Sequence, residues 1–208
     1  MATKKKDNQK PRKPKVDLMA GAPRPKPVSF HASMQHLEQA RDFPILGCWV
    51  MEGWQARGIT PVIVARLQAD NQIMYGAFMV DLYCLGVKNA LWETGVSQNR
   101  LERDLPRMCS DAPELCEAAL AHAIIYGAIE YARQYGFEPH RDFAKASLVL
   151  DPPDAHAPIR QVEFGYKGKP LFVSGPHDNP RAIVNQLVRT AGEGNFDYIV
   201  GFSDSDNS

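Results

Sequence analysis

The stretch PVIVARLQADNQIMYGAFMVDLYCLGVKNALW, residues 61–92, decides the fold class. Residues 61–67 and 73–82 are runs of β-branched, aromatic and other apolar side chains, and Asp70-Asn71-Gln72 supplies turn chemistry between them. A connection this short has no room for a helical crossover, so the two runs pair as an antiparallel hairpin. In the second run Met74, Gly76, Phe78 and Val80 alternate with Ile73, Tyr75, Ala77, Met79 and Asp81. Both sets are largely apolar, which predicts a strand covered at least in part on both faces. A further strand at 45–51 precedes the hairpin, and a weaker one at 86–92 follows it.

Downstream the apolar period lengthens. Asp111-Ala-Pro-Glu114 has the form of a helix start, with Pro in the first turn and Glu three residues beyond the cap, while Gly136 and Pro139 supply a stop. The expected helix covers about 24 residues and is apolar around most of its circumference, the mark of a central, buried element. Shorter helices are expected at 33–41, 99–108 and 141–150. After the Pro-rich linker 151–158, strands at 161–166 and 170–174 flank the turn Lys167-Gly168-Lys169. Asn179-Pro180 opens a last helix that Gly192 ends, and 196–202 supplies a final strand. The class is α+β: an antiparallel β-block, a buried central helix, then a smaller hairpin, helix and strand unit.

Charge divides this chain. Of its 24 Lys and Arg and 24 Asp and Glu, residues 1–27 hold nine basic and two acidic side chains, a net +7, leaving −7 on residues 28–208. The arm 1–27 is Pro-rich and poor in apolar side chains, so composition predicts disorder when it is free. The expected organisation is that arm, one α+β body over 28–202 and a frayed tail at 203–208. Division of the body into lobes 28–96 and 97–202 is the alternative. No apolar run is long enough to span a bilayer and no secretory signal is visible, which makes the cytoplasm the expected compartment. Cys48, Cys84, Cys109 and Cys116 fit a reduced state and lack zinc-site spacing, so no metal is expected from the thiols.

Clustered positive charge attracts polyanions without regard to sequence. Lys4, Lys5, Lys6, Lys10, Arg12, Lys13 and Lys15 are therefore the candidate contacts to nucleic acid or a ribonucleoprotein, and the leading expectation is a binding protein. The competing reading of the arm is a solubilising tail. Aromatic residues of the β-block, Trp49, Trp54, Tyr75, Phe78, Tyr83 and Trp92, lie near Arg57, Arg66 and Lys88 and could stack bases, although continuously apolar strands favour a core role for them.

An alternative is a hydrolase or nuclease holding a divalent ion through Asp81, Glu130, His140 and Asp142, with Asp151 a further possible partner of Asp81. Local chemistry offers simpler roles for the same residues. Asp81 can bond turn amides or pair with Lys88, His140 or Asp142 can cap a helix, and Glu130 can pair with Arg133. His122, inside the apolar helix, reads as a hydrogen-bonded core residue, and His31, His36 and His156 look unrelated to it. Ser174 to Pro180 leads into a helix N-terminus where Asn179 is positioned to cap. No phosphate-loop or dinucleotide pattern appears, and no cofactor is expected. A protein–protein adaptor is the third class, and the sequence does not decide whether the chain is an enzyme.

Overall fold

The computed structural model describes residues 37–110, 112–157 and 162–200. The basic arm, Ser33, His31 and His36, Asp111 and the tail 203–208 lie outside the described residues. Five strands form one antiparallel sheet: β1 (Ile45–Met51), β2 (Ile59–Leu67), β3 (Ile73–Asp81), β4 (Gly86–Val96) and β5 (Pro113–Cys116), in the order β4-β3-β2-β1-β5. A one-turn helix, α1 (Trp54–Arg57), joins β1 to β2 between Gly53 and Gly58, both with positive φ. The turn joining β2 to β3 closes through the Gln68 amide on Gln72 O at 2.8 Å, with Asn71 in the left-handed region and Asp70 Oδ1 accepting from the Gln72 amide.

The two-sided alternation holds. Val62, Val64, Met74, Phe78 and Val80 pack on the long helix α3 (Ala118–Gln134) through Ile124, Ile125, Ala128 and Ile129. The intervening Ile63, Ala65, Ile73, Tyr75 and Ala77 pack on α2 (Gln98–Met108) through Leu101 and Leu105. The sheet is thus a middle layer between two helices. Gly86, at φ +68°, starts β4 where α3 crosses it; a Cβ there would lie 3.0 Å from both the Ala128 carbonyl oxygen and the Ala132 Cβ.

The remaining elements depart from the sequence pattern in three places. Residues 113–116 are not helix but edge strand β5, paired with β1 in the register Cys48↔Cys116 and Val50↔Glu114. The open edge of β1 offers backbone hydrogen bonds that outweigh the local capping signal. Helix α3 therefore starts at Ala118, is 17 residues long, and has Glu117 at its N-cap without a side-chain cap. The expected helix at 141–150 is broken into α4 (Phe143–Ala146) and a 3-10 turn over Ser147–Val149. The expected hairpin around Lys167-Gly168-Lys169 shrinks to an isolated bridge, Tyr166↔Lys169. Instead β6 (Leu171–Val173) pairs in parallel with β7 (Asp197–Ile199), connected through α5 (Pro180–Thr190). A parallel pair needs such a crossover, and the Asn179 cap and Pro180 start supply its helix. This unit shares a small core with the β3–β4 turn through Cys84, Leu85, Phe172 and Leu187.

Among the described residues no helix is long and apolar enough to cross a membrane. Cys48, Cys84, Cys109 and Cys116 are all free thiols.

Candidate functional site

Arg66 is the penultimate residue of β2 and is 3% exposed. A guanidinium there needs acceptors for its N–H groups and a counter-charge. The segment after α4 supplies the counter-charge and one acceptor, and Phe43, just before β1, supplies another. Arg66 Nε donates to Val149 O at 2.6 Å, Nη1 donates to Phe43 O at 2.6 Å, and Nη2 pairs with Asp151 Oδ1. Arg41 Nε holds the neighbouring Leu150 O at 2.7 Å, and the Tyr126 hydroxyl donates to Asp151 O at 2.9 Å. Pro152 and Pro153 then turn the chain, closed by the Ala155 amide on Pro152 O, and bring His156 back over Asp151.

Two imidazoles complete the cluster. His122 projects from the first turns of α3, with Nδ1 2.7 Å from Ala118 O and Nε2 2.9 Å from the Asp151 amide. A carbonyl only accepts and an amide only donates, so Nδ1 carries the hydrogen and Nε2 is bare. His156 Nε2 lies 3.0 Å from Asp151 Oδ2, and the two imidazole rings are 4.4 Å apart. His122, Asp151 and His156 offer ligand atoms within 4.8 Å of one another, which no other group of three His, Cys, Asp or Glu achieves among the described residues.

Burial pushes the His122 pKa below the ordinary histidine value. Desolvation raises Asp151, but hydrogen bonding and charge from Arg66, helped by His156, outweigh it and hold the carboxyl below the usual Asp value. Both signs point the same way. With its folded pKa depressed, His122 contributes stability that is full above about pH 6.5 and declines as pH falls below that value. Asp151 contributes stability present above about pH 3.9 and lost as pH falls through its lower folded value. Asp81 opposes this, because burial raises its carboxyl and its contribution is lost as pH rises above about 3.9. In an Asp81→Asn background, which removes the opposing carboxyl, we expect the urea midpoint to fall between pH 7 and pH 5; a midpoint flat across that range contradicts the assignment to His122.

The residues singled out from sequence occupy separate places. Asp81 is 7% exposed, and its Oδ1 accepts from the Tyr83 and Cys84 amides at 2.9 and 3.1 Å, which ties the turn toward Gly86. It lines a cleft of ≈ 240 Å³ together with Arg57, Lys88 and Ser174. Lys88 pairs with Asp178 at 2.6 Å, and Asp178 also accepts from the Gly175 amide. Glu130 is exposed on α3, and Arg133 meets Glu138 at 3.2 Å. His140 Nδ1 accepts from the Asp142 amide at 3.3 Å and lies 3.7 Å from its carboxylate. The fold brings His140 and Asp142 together, but it does not gather Asp81, Glu130, His140 and Asp142 into one ligand shell. Asn179 Oδ1 accepts from the Ala182 amide and so occupies the α5 N-terminus. Trp54, Tyr75 and Phe78 are core residues, and Trp49, Tyr83 and Trp92 are half-buried.

The His122–Asp151–His156 group was not assembled from sequence, because its members come from α3 and from a loop 29 residues further on. One signal could have found it: Arg66, a cation near the end of an otherwise apolar strand, requires a counter-charge from elsewhere in the chain. No family model, no curated protein and no solved structure matches this chain.

Proposed function

We propose that this chain is a nucleic-acid- or ribonucleoprotein-associated binding protein, attached through Lys4, Lys5, Lys6, Lys10, Arg12, Lys13 and Lys15. The observation that carries the reading is the partition of charge, +7 on residues 1–27 against −7 on residues 28–208. The body supports it by leaving the polyanion contact to the arm. Among the described residues some of the body's cations are engaged internally: Arg66 with Asp151, Lys88 with Asp178, Arg100 with Glu93 and Asp104, Arg133 with Glu138, and Lys169 with Asp197. Helices α3 and α2 pack on the two faces of the sheet, where an open aromatic platform for stacking unpaired bases would have to lie.

On this reading the acidic body makes a separate contact with a protein component, and the free thiols fit residence in the cytoplasm. Electrophoretic titration of single-stranded RNA with the full chain and with residues 28–208 tests it. The full chain should bind more tightly at low salt, with the gap closing as salt rises; equal affinities across salt would remove the proposal.

A further inference from the structure

We propose that His122, Asp151 and His156 bind a single divalent metal ion of the zinc class. Two imidazoles and one carboxylate converge from α3 and from the Pro-Pro turn, with ligand atoms within 4.8 Å of one another. This is the three-ligand set that leaves a coordination position open for water or substrate. Nitrogen donors select zinc, cobalt or nickel over magnesium and calcium, which take oxygen.

The surroundings match those of a metal-binding histidine. His122 gives its Nδ1 hydrogen to the Ala118 carbonyl, which fixes the ring and keeps Nε2 unprotonated, its lone pair accepting from the Asp151 amide. Metal-ligating histidines use such an outer acceptor to set tautomer and orientation. Arg66 and Tyr126 act likewise on Asp151. The guanidinium takes Oδ1 and leaves Oδ2 toward His156, while the Tyr126 hydroxyl pins the Asp151 carbonyl. Asp151 and His156 each keep roughly a quarter of their side-chain surface exposed, so an ion has a way in.

Binding rearranges two contacts. The His156 Nε2 hydrogen moves to Nδ1 and the ion takes its place against Asp151 Oδ2, while the Asp151 amide releases His122 Nε2. The Arg66 charge opposes the ion, so the affinity belongs to an exchangeable site and not to a structural zinc on which folding depends.

The test is calorimetric titration of ZnCl₂ into the full-length, untagged chain after chelator treatment, with MgCl₂ as the comparison ion. One zinc per chain and no magnesium binding are expected. His156→Ala, which leaves the Arg66–Asp151 pair in place, should weaken zinc by at least the roughly 10–100-fold that loss of an outer partner alone costs. The double variant His140→Ala/His177→Ala should bind as the parent does. Nitrogen-15 spectra of the unaltered chain supply a readout independent of any substitution: zinc should shift the ring signals of His122 and His156 and spare the other four histidines. Absence of one-to-one binding, equal binding by His156→Ala, or shifts confined to the other histidines would overturn the site. RNA takes no part in these measurements, so their failure leaves the reading of the arm untouched.

Discussion

Asp151→Ala, measured with a chelator present, is expected to destabilise the chain by about 3–5 kcal/mol, because it leaves a buried guanidinium without its counter-charge. Arg66 is 3% exposed, and its other two acceptors, Val149 O and Phe43 O, are neutral carbonyls that cannot replace a carboxylate. Asp151→Asn keeps an oxygen for Arg66 and should cost less. In the double variant Arg66→Met/Asp151→Ala, loss of the cation relieves what loss of the carboxylate creates, so the combined effect should be smaller than the sum of the single effects. Urea unfolding with a common slope measures these three together with the single variant Arg66→Met. An Asp151→Ala midpoint within error of the parent would show that the pair is not what holds the 149–156 segment to β2.

Phe78→Ala is the second large effect, at about 3–5 kcal/mol. Phe78 is 1% exposed in the middle of β3, opposite Val62 on β2 and Ala90 on β4. Its ring meets the Phe143 ring edge-on at 5.8 Å, joining the sheet to α4. Truncation leaves a cavity that two hydrogen-bonded neighbouring strands cannot collapse to fill. Met79, the next residue along the strand, is 37% exposed, and its replacement by Ala should cost under about 1 kcal/mol. Equal losses at the two positions would contradict the burial of Phe78 between the sheet and α4 with Met79 outside that core.

The β-block was legible because strand period and turn chemistry are local. The strand at 45–51 stands at the expected residues, and the alternation along β3 correctly announced two covered faces. Legibility failed where partners distant in sequence decide the outcome. Pro113 to Cys116 carry a helix-start pattern, yet the free edge of β1 draws them into the sheet. Residues 166–169 carry a hairpin turn, yet β6 finds its partner 26 residues further on, across α5. For the site, Asp81 was legible as a turn-bonding carboxylate, as were Asn179 as a cap and His122 as a hydrogen-bonded residue. The meeting of His122, Asp151 and His156 depends on where a Pro-Pro turn lands against a helix, which no spacing rule encodes.

The proposed association with nucleic acid rests on the arm, and the slope of log affinity against log salt for single-stranded RNA tests it most directly. Each neutralised phosphate contributes roughly −0.7, so seven arm cations give a slope near −5 and residues 28–208 alone give a slope near zero. Replacing Lys4, Lys5 and Lys6 by Gln should reduce the magnitude by about 2. A slope that is the same for the full chain, the triple variant and residues 28–208 would contradict the account.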